Sequence, residues 1–387
     1  MPELRHCSLF SGIGGFDVGL GQAGIETVMI CENDSDARAV LKEHFANVRY
    51  RKSVEKLGSL PNCQLLSAGW PCQDLSQAGM TAGISGVRSN MIKHVFRLLD
   101  ETRLKPQYVL LENVSFALHL HGGKAIRMVV RELENRGYHW AYRILNTREF
   151  GLPQRRRRIF ILGALDVDPA AVLFDGEGEP TEETRSRYAG FYWTEGNRGV
   201  GWTSGAIPPL KGGSGLSIPS PPAVWDRRTH DFFSPGIRDA ERLQGFRAGW
   251  TSPAADKSGD RVRWRLVGNA VSVPIAKWIG RRLIAMSSAS PRRSQLPQPG
   301  TSKRHNMAWG APGQAPAYAR VEHEGPAKPK RASLVEFDFV DATPLSTRAA
   351  SGFLARLVDS PLIVERDFLV DLARYCGRRD LIPRKAA

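Results

Sequence analysis

Apolar positions in the first 165 residues follow two alternating rhythms. Runs of strand length occur at Leu4–Phe10, Thr27–Glu32, Cys63–Gly69, Tyr108–Asn113 and Arg158–Leu165. Between them, Gly15–Ala23, Ser35–Phe45, Asn90–Arg103 and Gly123–Gly137 carry helical spacing. In the last of these, Ile126, Val129, Val130 and Leu133 make one apolar face. The alternation predicts an α/β fold with a mostly parallel sheet.

From Leu165 to Trp225 the periodicity fades into Gly, Pro, Ser and Trp, as in GFYWTEGNRGVGWTSG. A smaller, loop-rich module inserted in the main domain is expected there. Helical spacing returns at Ile237–Phe246 and Ala270–Met286. Residues 287–332, rich in Pro, Ser, Gly and basic side chains, read as a flexible linker. Phe353, Leu354, Leu357 and Val358, then Phe368, Leu369 and Leu372, restore an apolar pattern and predict a small helical appendage. The expected division is therefore 1–165 for the first part of the α/β domain and 166–236 for the module. Residues 237–286 return to the main domain, 287–332 form the linker and 333–387 the appendage.

Composition narrows the class. In 387 residues, 54 Lys and Arg face 39 Asp and Glu, a formal charge of +15, which favours a polyanionic partner. The hydrophobic content of 42% is enough for a core. No run of about 18 apolar residues predicts a membrane span, and MPELRHCSLF shows no secretory pattern. Five scattered cysteines make no disulfide scaffold and no zinc motif, so a reducing, cytoplasmic setting is expected.

Four segments carry candidate chemistry. Phe10-Ser11-Gly12-Ile13-Gly14-Gly15 follows the first strand, where glycines let the backbone approach a ligand closely. Glu32, followed by Asn33, ends the second strand, where a carboxylate can accept both ribose hydroxyls of a nucleoside cofactor. The alternative is a tight structural turn. Pro71-Cys72-Gln73 follows a strand, so Cys72 stands at the ligand-binding rim of a parallel sheet. It is either a thiolate nucleophile or a small buried apolar residue. Glu112-Asn113-Val114 ends another strand, giving either a working acid or a loop carboxylate. Gln154-Arg155-Arg156-Arg157-Arg158 enters a strand. Strand alternation puts Arg156 and Arg158 on one face, as an oxygen-gripping pair or as part of a solvated charge run.

Taken in order, these segments resemble the cytosine-5 DNA methyltransferase family, of bacterial or phage type. Its Phe-x-Gly-x-Gly is matched by Phe10, Gly12 and Gly14. Its acidic strand end is matched by Glu32, and its Pro-Cys-Gln by Pro71, Cys72 and Gln73. Glu-Asn-Val is residues 112–114, and Gln-x-Arg-x-Arg is Gln154, Arg156 and Arg158. Arg-Glu-x-x-Arg-Leu-Gln is matched at Arg238, Arg242, Leu243 and Gln244, with Asp239 in the Glu place. Gly-Asn-Ala-Val is residues 268–271. The match covers about residues 4–286. Two positions depart from the pattern: Ser53 stands where the family carries an acid facing the adenine ring, and Asp239 replaces Glu.

The resemblance implies a Rossmann-like S-adenosylmethionine-dependent methyltransferase fold. The module at 166–236 would be the target-recognition part, and the chain would end in a C-terminal extension. It implies that Cys72 adds to carbon 6 of a flipped-out cytosine and that Glu112 binds the ring nitrogen and amine. Arg156 would hold the base oxygen and Arg158 would position Glu112 or the cysteine loop. S-adenosyl-L-methionine would lie on Phe10, Ser11, Gly12, Ile13, Gly14, Gly15, Glu32 and Asn33, with Pro71, Asn269 and Val271. Gln73, Ser76, Arg88, Ser89, Asn113 and Gln154 would touch the substrate. Double-stranded DNA is the implied partner of a monomer, with no metal and no membrane. A cognate restriction endonuclease would accompany it, in the cytoplasm of a bacterial or phage-infected cell. Competing classes are a catalytically silent DNA-binding relative, a methyltransferase acting on RNA, and a nucleotide-dependent oxidoreductase. The last leaves Pro-Cys-Gln and Gln-x-Arg-x-Arg without a role.

Overall fold

A computed structural model describes residues 4–70, 91–174, 185–195, 197, 199–212, 219–287, 300, 305–328, 330–378 and 380. The chain opens with β1 (Arg5–Leu9), α1 (Gly15–Gly21), β2 (Glu26–Cys31), α2 (Ser35–His44), β3 (Arg49–Arg51) and β4 (Leu65–Gly69). It continues through α3 (Met91–Glu101), β5 (Tyr108–Val114), α4 (Lys124–Glu134), β6 (His139–Asn146), β7 (Arg157–Ala164) and α5 (Pro169–Leu173). Four short strands follow: β8 (Tyr188–Phe191), β9 (Thr203–Ser204), β10 (Ala223–Asp226) and β11 (Asp231–Ser234). Next come α6 (Ile237–Leu243), α7 (Ser252–Ser258), α8 (Asp260–Asn269) and α9 (Val273–Ser287). The described remainder holds β12 (Met307–Gly310), β13 (Ala317–Ala319), β14 (Thr343–Pro344), α10 (Thr347–Val358) and α11 (Arg366–Tyr375).

Two compact units result. The first takes Met1–Phe150, Arg157–Pro180 and Ala270–Pro329; the second takes Gly151–Arg156, Thr181–Asn269 and Lys330–Ala387. In the first, nine strands run in the order β13-β12-β6-β7-β5-β4-β1-β2-β3. The β5-β4-β1-β2-β3 part is parallel, and β7 inserts antiparallel between β5 and β6. This is the Rossmann-like α/β fold expected. Alternate residues of each strand feed opposite cores. Val109 and Leu111 of β5 lie in the layer that holds Val95 and Leu99 of α3 and Ile126 and Val129 of α4. Tyr108 and Leu110 lie in the layer that holds Phe16 and Leu20 of α1 and Ile275 and Ile279 of α9. Local chemistry sets the helix starts. Asp34 caps α2 by accepting from the N–H groups of Asp36 and Ala37, and Asp168 caps α5, which begins on Pro169.

The expected linker at 287–332 is corrected over its described part. Residues 307–310 and 317–319 form a hairpin that extends the sheet beyond β6, with Ala308 opposite Tyr142. The signal was weak because each strand is short and only Met307, Ala308 and Ala319 are deeply buried.

The second unit is built on a five-stranded sheet, β14-β11-β10-β8-β9. Its core joins Phe191, Trp225 and Phe232 of the sheet to Phe353 and Leu357 of α10 and Phe368 and Leu372 of α11. Trp225 donates its indole N–H to Asp371 at 3.0 Å, and His230 pairs with the same carboxylate at 2.8 Å. Residues 333–387 thus complete this unit and are not a separate appendage. The return to the first unit falls between Asn269 and Ala270, within the stretch expected to belong wholly to the main domain. Among the described residues no helix is long and apolar enough to cross a membrane.

Candidate active site

β1 delivers the chain into the glycine-rich turn at the carboxyl edge of the parallel strands. Phe10, Gly12 and Gly14 all have positive φ, at 52°, 55° and 88°. Ser11 donates its hydroxyl to the Ser8 carbonyl at 3.2 Å, and Gly14 N–H donates to the Ser11 carbonyl at 2.9 Å, which closes the turn. Ile13 is buried. Gly15 is required by close approach: a Cβ there would lie 2.3 Å from the carbonyl oxygen of Val271. Val271 therefore supports the turn through its backbone.

Glu32 follows directly on β2 and accepts from Gly12 N–H at 2.7 Å and Asp34 N–H at 2.8 Å. Burial pushes its carboxyl up, and those two N–H groups offset this only in part, so it stays above the usual carboxylate range. Asn33 beside it is exposed. A Cβ on Gly12 would meet nothing within 4 Å. The turn thus leaves open space next to a carboxylate at a strand end, which suits the nucleoside part of a cofactor.

β4 and β5 form the second half of the site. Gly69 and Glu112 are cross-strand partners at the strand ends, and a Cβ on Gly69 would lie 3.6 Å from Glu112 Oε2. Glu112 is only 8% exposed, and Arg158 Nε lies 3.2 Å from its Oε1. Asn113 is turned inward. Its amide donates to the Trp70 carbonyl at 3.3 Å, and its Oδ1 accepts from Val114 N–H at 2.8 Å. It anchors the residue before Pro71, where a substrate contact was expected of it.

The expected Arg156–Arg158 pair is also corrected. β7 begins at Arg157, so strand alternation does not reach back to Arg156. Arg156 lies in the second unit, 1% exposed, and donates to the carbonyls of Leu210 and Gly268, both at 3.0 Å. Gln154 is fully buried there. It donates to the Leu243 carbonyl at 2.8 Å and accepts from Leu210 N–H at 2.9 Å. Gln244 completes the knot by donating to the Val267 carbonyl at 2.9 Å. The Gln-x-Arg, Arg-Leu-Gln and Gly-Asn motifs are tied together as scaffold, and Gln154, expected at the substrate, is part of that knot. Gly268 packs so tightly that a Cβ would come within 2.4 Å of Gly212 N, and Asn269 Oδ1 borders Gly212. Pro71, Cys72, Gln73, Ser76, Arg88 and Ser89 lie outside the described residues.

Three features escaped sequence reasoning. His6, Ser8, Asp17, Thr27 and Ser67 form a buried polar cluster at the β1–β2–β4 centre. His6 Nε2 is 2.7 Å from Ser67 Oγ, and Ser8 donates to Asp17 at 3.1 Å. Burial lowers His6 to about 3 and raises Asp17 to about 7. Glu241 is buried in the second unit, where it accepts from Thr251 N–H at 2.8 Å and Arg263 at 3.1 Å. Asp239, the departure from the family Glu, and Asp341 cap each other's backbone: Asp239 accepts from Val340 N–H at 2.8 Å, Asp341 from Arg238 N–H at 3.0 Å. The inward-facing polar positions on β1 were the available signal for the first; the other two depend on distant chain segments meeting.

A family model for C-5 cytosine-specific DNA methylases matches residues 4–187. The chain is 41% identical over 396 residues to type II methyltransferase M2.BsuMI of Bacillus subtilis, covering 98% of this chain and 99% of that one. It is 26% identical over 328 residues to type II methyltransferase M.DsaV of Dactylococcopsis salina, covering 76% and 90%. Among solved structures, the S. pombe Dnmt2 methyltransferase superposes with a TM-score of 0.55 at 18% identity, over 74% of this chain and all of that one. An Entamoeba histolytica methyltransferase, EhMeth, gives 0.52 at 16% identity, over 75% of this chain and all of that one.

Proposed function

Because the chain belongs to the C-5 cytosine-specific DNA methylase family, we propose that it methylates carbon 5 of a flipped-out cytosine in DNA through a transient bond to Cys72. When bound, S-adenosylmethionine supplies the electrophilic methyl group. Phe10, Ser11, Gly12, Ile13 and Gly14, with Glu32 and Asn33, would hold it, while Gly15 and Val271 fix the turn from behind.

Cytosine carbon 5 is too electron-poor to take a methyl group unaided. The Cys72 thiolate adds to carbon 6, which makes carbon 5 enamine-like. Glu112 hydrogen-bonds the ring nitrogen and the exocyclic amine, setting cytosine apart from thymine. Arg158 holds that carboxylate, and we give it the base-oxygen contact as well, since Arg156 is committed to two backbone carbonyls. After transfer, loss of the carbon-5 proton expels the thiolate and restores the ring. Asn113 steadies the entry to the cysteine loop through Trp70. Extruding the base from the stack costs a few kcal/mol, on the order of one lost base-pair step. A cognate restriction endonuclease is the partner such an activity would protect against.

The Glu112–Arg158 pair beside Gly69, at the strand end that leads into Pro71-Cys72, carries this reading. The test is a DNA duplex carrying 5-fluorocytosine, incubated with the protein and radiolabelled S-adenosylmethionine. A covalent protein–DNA band that survives denaturation and disappears in Cys72→Ala is expected. No band, or a band retained in that variant, removes Cys72 from the reaction. Label on transfer RNA but not on DNA removes the substrate.

A further inference from the structure

In the first unit, a cavity of about 220 Å³ lies where α4 passes over β6 and the β12–β13 hairpin. Ile126 and Val130 of α4 give it an apolar wall. Trp140 and Tyr142 of β6 form an adjoining surface, their rings stacked 5.9 Å apart at 12°. His305 and Tyr318 close another side, with ring centroids 4.6 Å apart, and His305 lies 6.1 Å from Tyr142. His119 and Arg127 supply polar lining. None of these residues belongs to the catalytic reading above.

Two independent features make this cavity polar in a particular way. The 11-residue helix α4 starts from His121, Gly122 and Gly123, all with positive φ, and no side chain caps its first N–H groups. Gly122 and Gly123 line the cavity, so an uncapped helix start with its partial positive charge borders it. Tyr142 is 3% exposed, and no hydrogen bond among the described residues uses its hydroxyl. The hydroxyl keeps some access to the cavity's water, so an entering ligand can take that water's place. Burial also raises this phenol, which keeps it a donor. Flat rings, a waiting donor, an arginine and a helix start together describe a receptor for a planar ring bearing an anion.

We propose that this cavity is a second ligand site, taking one nucleotide unit with its base against Tyr142, His305 and Tyr318 and its phosphate toward Arg127 and the α4 start. The volume is below the range of about 300–1,000 Å³ usual for larger ligands, which fits one base with its phosphate at the open rim. The unit comes either from a free mononucleotide or from a DNA strand.

The experiment titrates the full-length protein with AMP, read by saturation-transfer NMR, in wild type and in Arg127→Ala, Tyr142→Phe and Glu32→Ala. AMP is expected to bind wild type. Arg127→Ala should weaken it about tenfold and Tyr142→Phe several-fold, while Glu32→Ala leaves the signal in place. Absence of binding, indifference to both cavity substitutions, or loss in Glu32→Ala alone would overturn the proposal. A 5′-phosphorylated tetranucleotide then identifies the source within a supported site. Displacement of AMP indicates a strand nucleotide, and no displacement indicates the free one.

Discussion

Arg158 and Glu112 meet diagonally across the antiparallel β5–β7 pair. Arg158 stands opposite Val114, Glu112 opposite Phe160, and the Arg158 Nε lies 3.2 Å from Glu112 Oε1. Residues two apart on neighbouring strands share a face and are within reach of long side chains. The pair is nearly buried, with side-chain exposures of 16% and 10%, so neither charge is cheaply left alone.

Arg158→Ala is therefore expected to reduce methyl transfer at least about a hundredfold and to destabilise the protein by about 3 kcal/mol. Glu112→Gln keeps the shape and removes the charge, so it should lose comparable activity at a smaller stability cost. Single-turnover assays with urea unfolding check both. Near-normal turnover in Glu112→Gln would mean that the carboxylate does not act on the base.

Asn113 donates its amide to the Trp70 carbonyl at 3.3 Å. Asn113→Ala frees the Trp70 carbonyl at the entrance to Pro71-Cys72. We expect kcat to fall about tenfold, DNA and cofactor KM to hold, and stability to drop by about 1 kcal/mol. If KM for DNA rises instead while kcat holds, the residue contacts substrate directly.

Residues 333–387, expected as a small helical appendage, supply two helices to the core of the second unit. Deleting residues 333–387 would uncover Phe191, Trp225 and Phe232, large side chains whose burial depends on α10 and α11. The truncated chain should aggregate or bind hydrophobic dyes, and Asp371→Ala in the full chain should destabilise by about 1–3 kcal/mol. Size-exclusion chromatography and thermal melts report the outcome. A soluble truncation with unchanged DNA affinity would show that the segment is an add-on after all.

What the sequence made legible follows from where side chains find their partners. β4 and β5 could be placed because LLSAG, with the single small polar Ser67, and YVLL are buried runs covered on both faces. β6 escaped because Arg143 interrupts its apolar run. That guanidinium is buried by carbonyls of Leu173, His323 and Gly325, none of them near in sequence. Glu32 and Glu112 were found because strand ends announce themselves. The backbone partners of Asn113, Gln154 and Arg156 were not legible, because a polar side chain at a motif looks the same whether it faces a ligand or a backbone carbonyl 54 or 112 residues away. Alternation along β7 also misled, since it holds only from Arg157 onward.

The buried cluster beneath the glycine-rich turn predicts a pH profile in which two groups hide each other. His6 Nδ1 and Asp17 Oδ1 are 3.9 Å apart, within ion-pair distance, yet burial drives each toward its neutral form. His6 falls from 6.5 to about 3, so between those values the unfolded chain takes a proton that the fold refuses. Its contribution is present above 6.5 and is lost as pH falls. Asp17 rises from 3.8 to about 7, so the fold keeps a proton that the unfolded chain releases. Its contribution is present below 3.8 and is lost as pH rises to about 7. Each slope is about 1.4 kcal/mol per pH unit, and over the shared window they cancel. Asp17→Asn should unmask the histidine slope, with stability rising by roughly that amount per unit from pH 4 toward 6.5. His6→Gln should unmask the opposite slope. Urea midpoints at half-unit intervals measure both. If Asp17→Asn leaves the profile as flat as wild type, His6 keeps its proton on folding and burial does not drive it neutral.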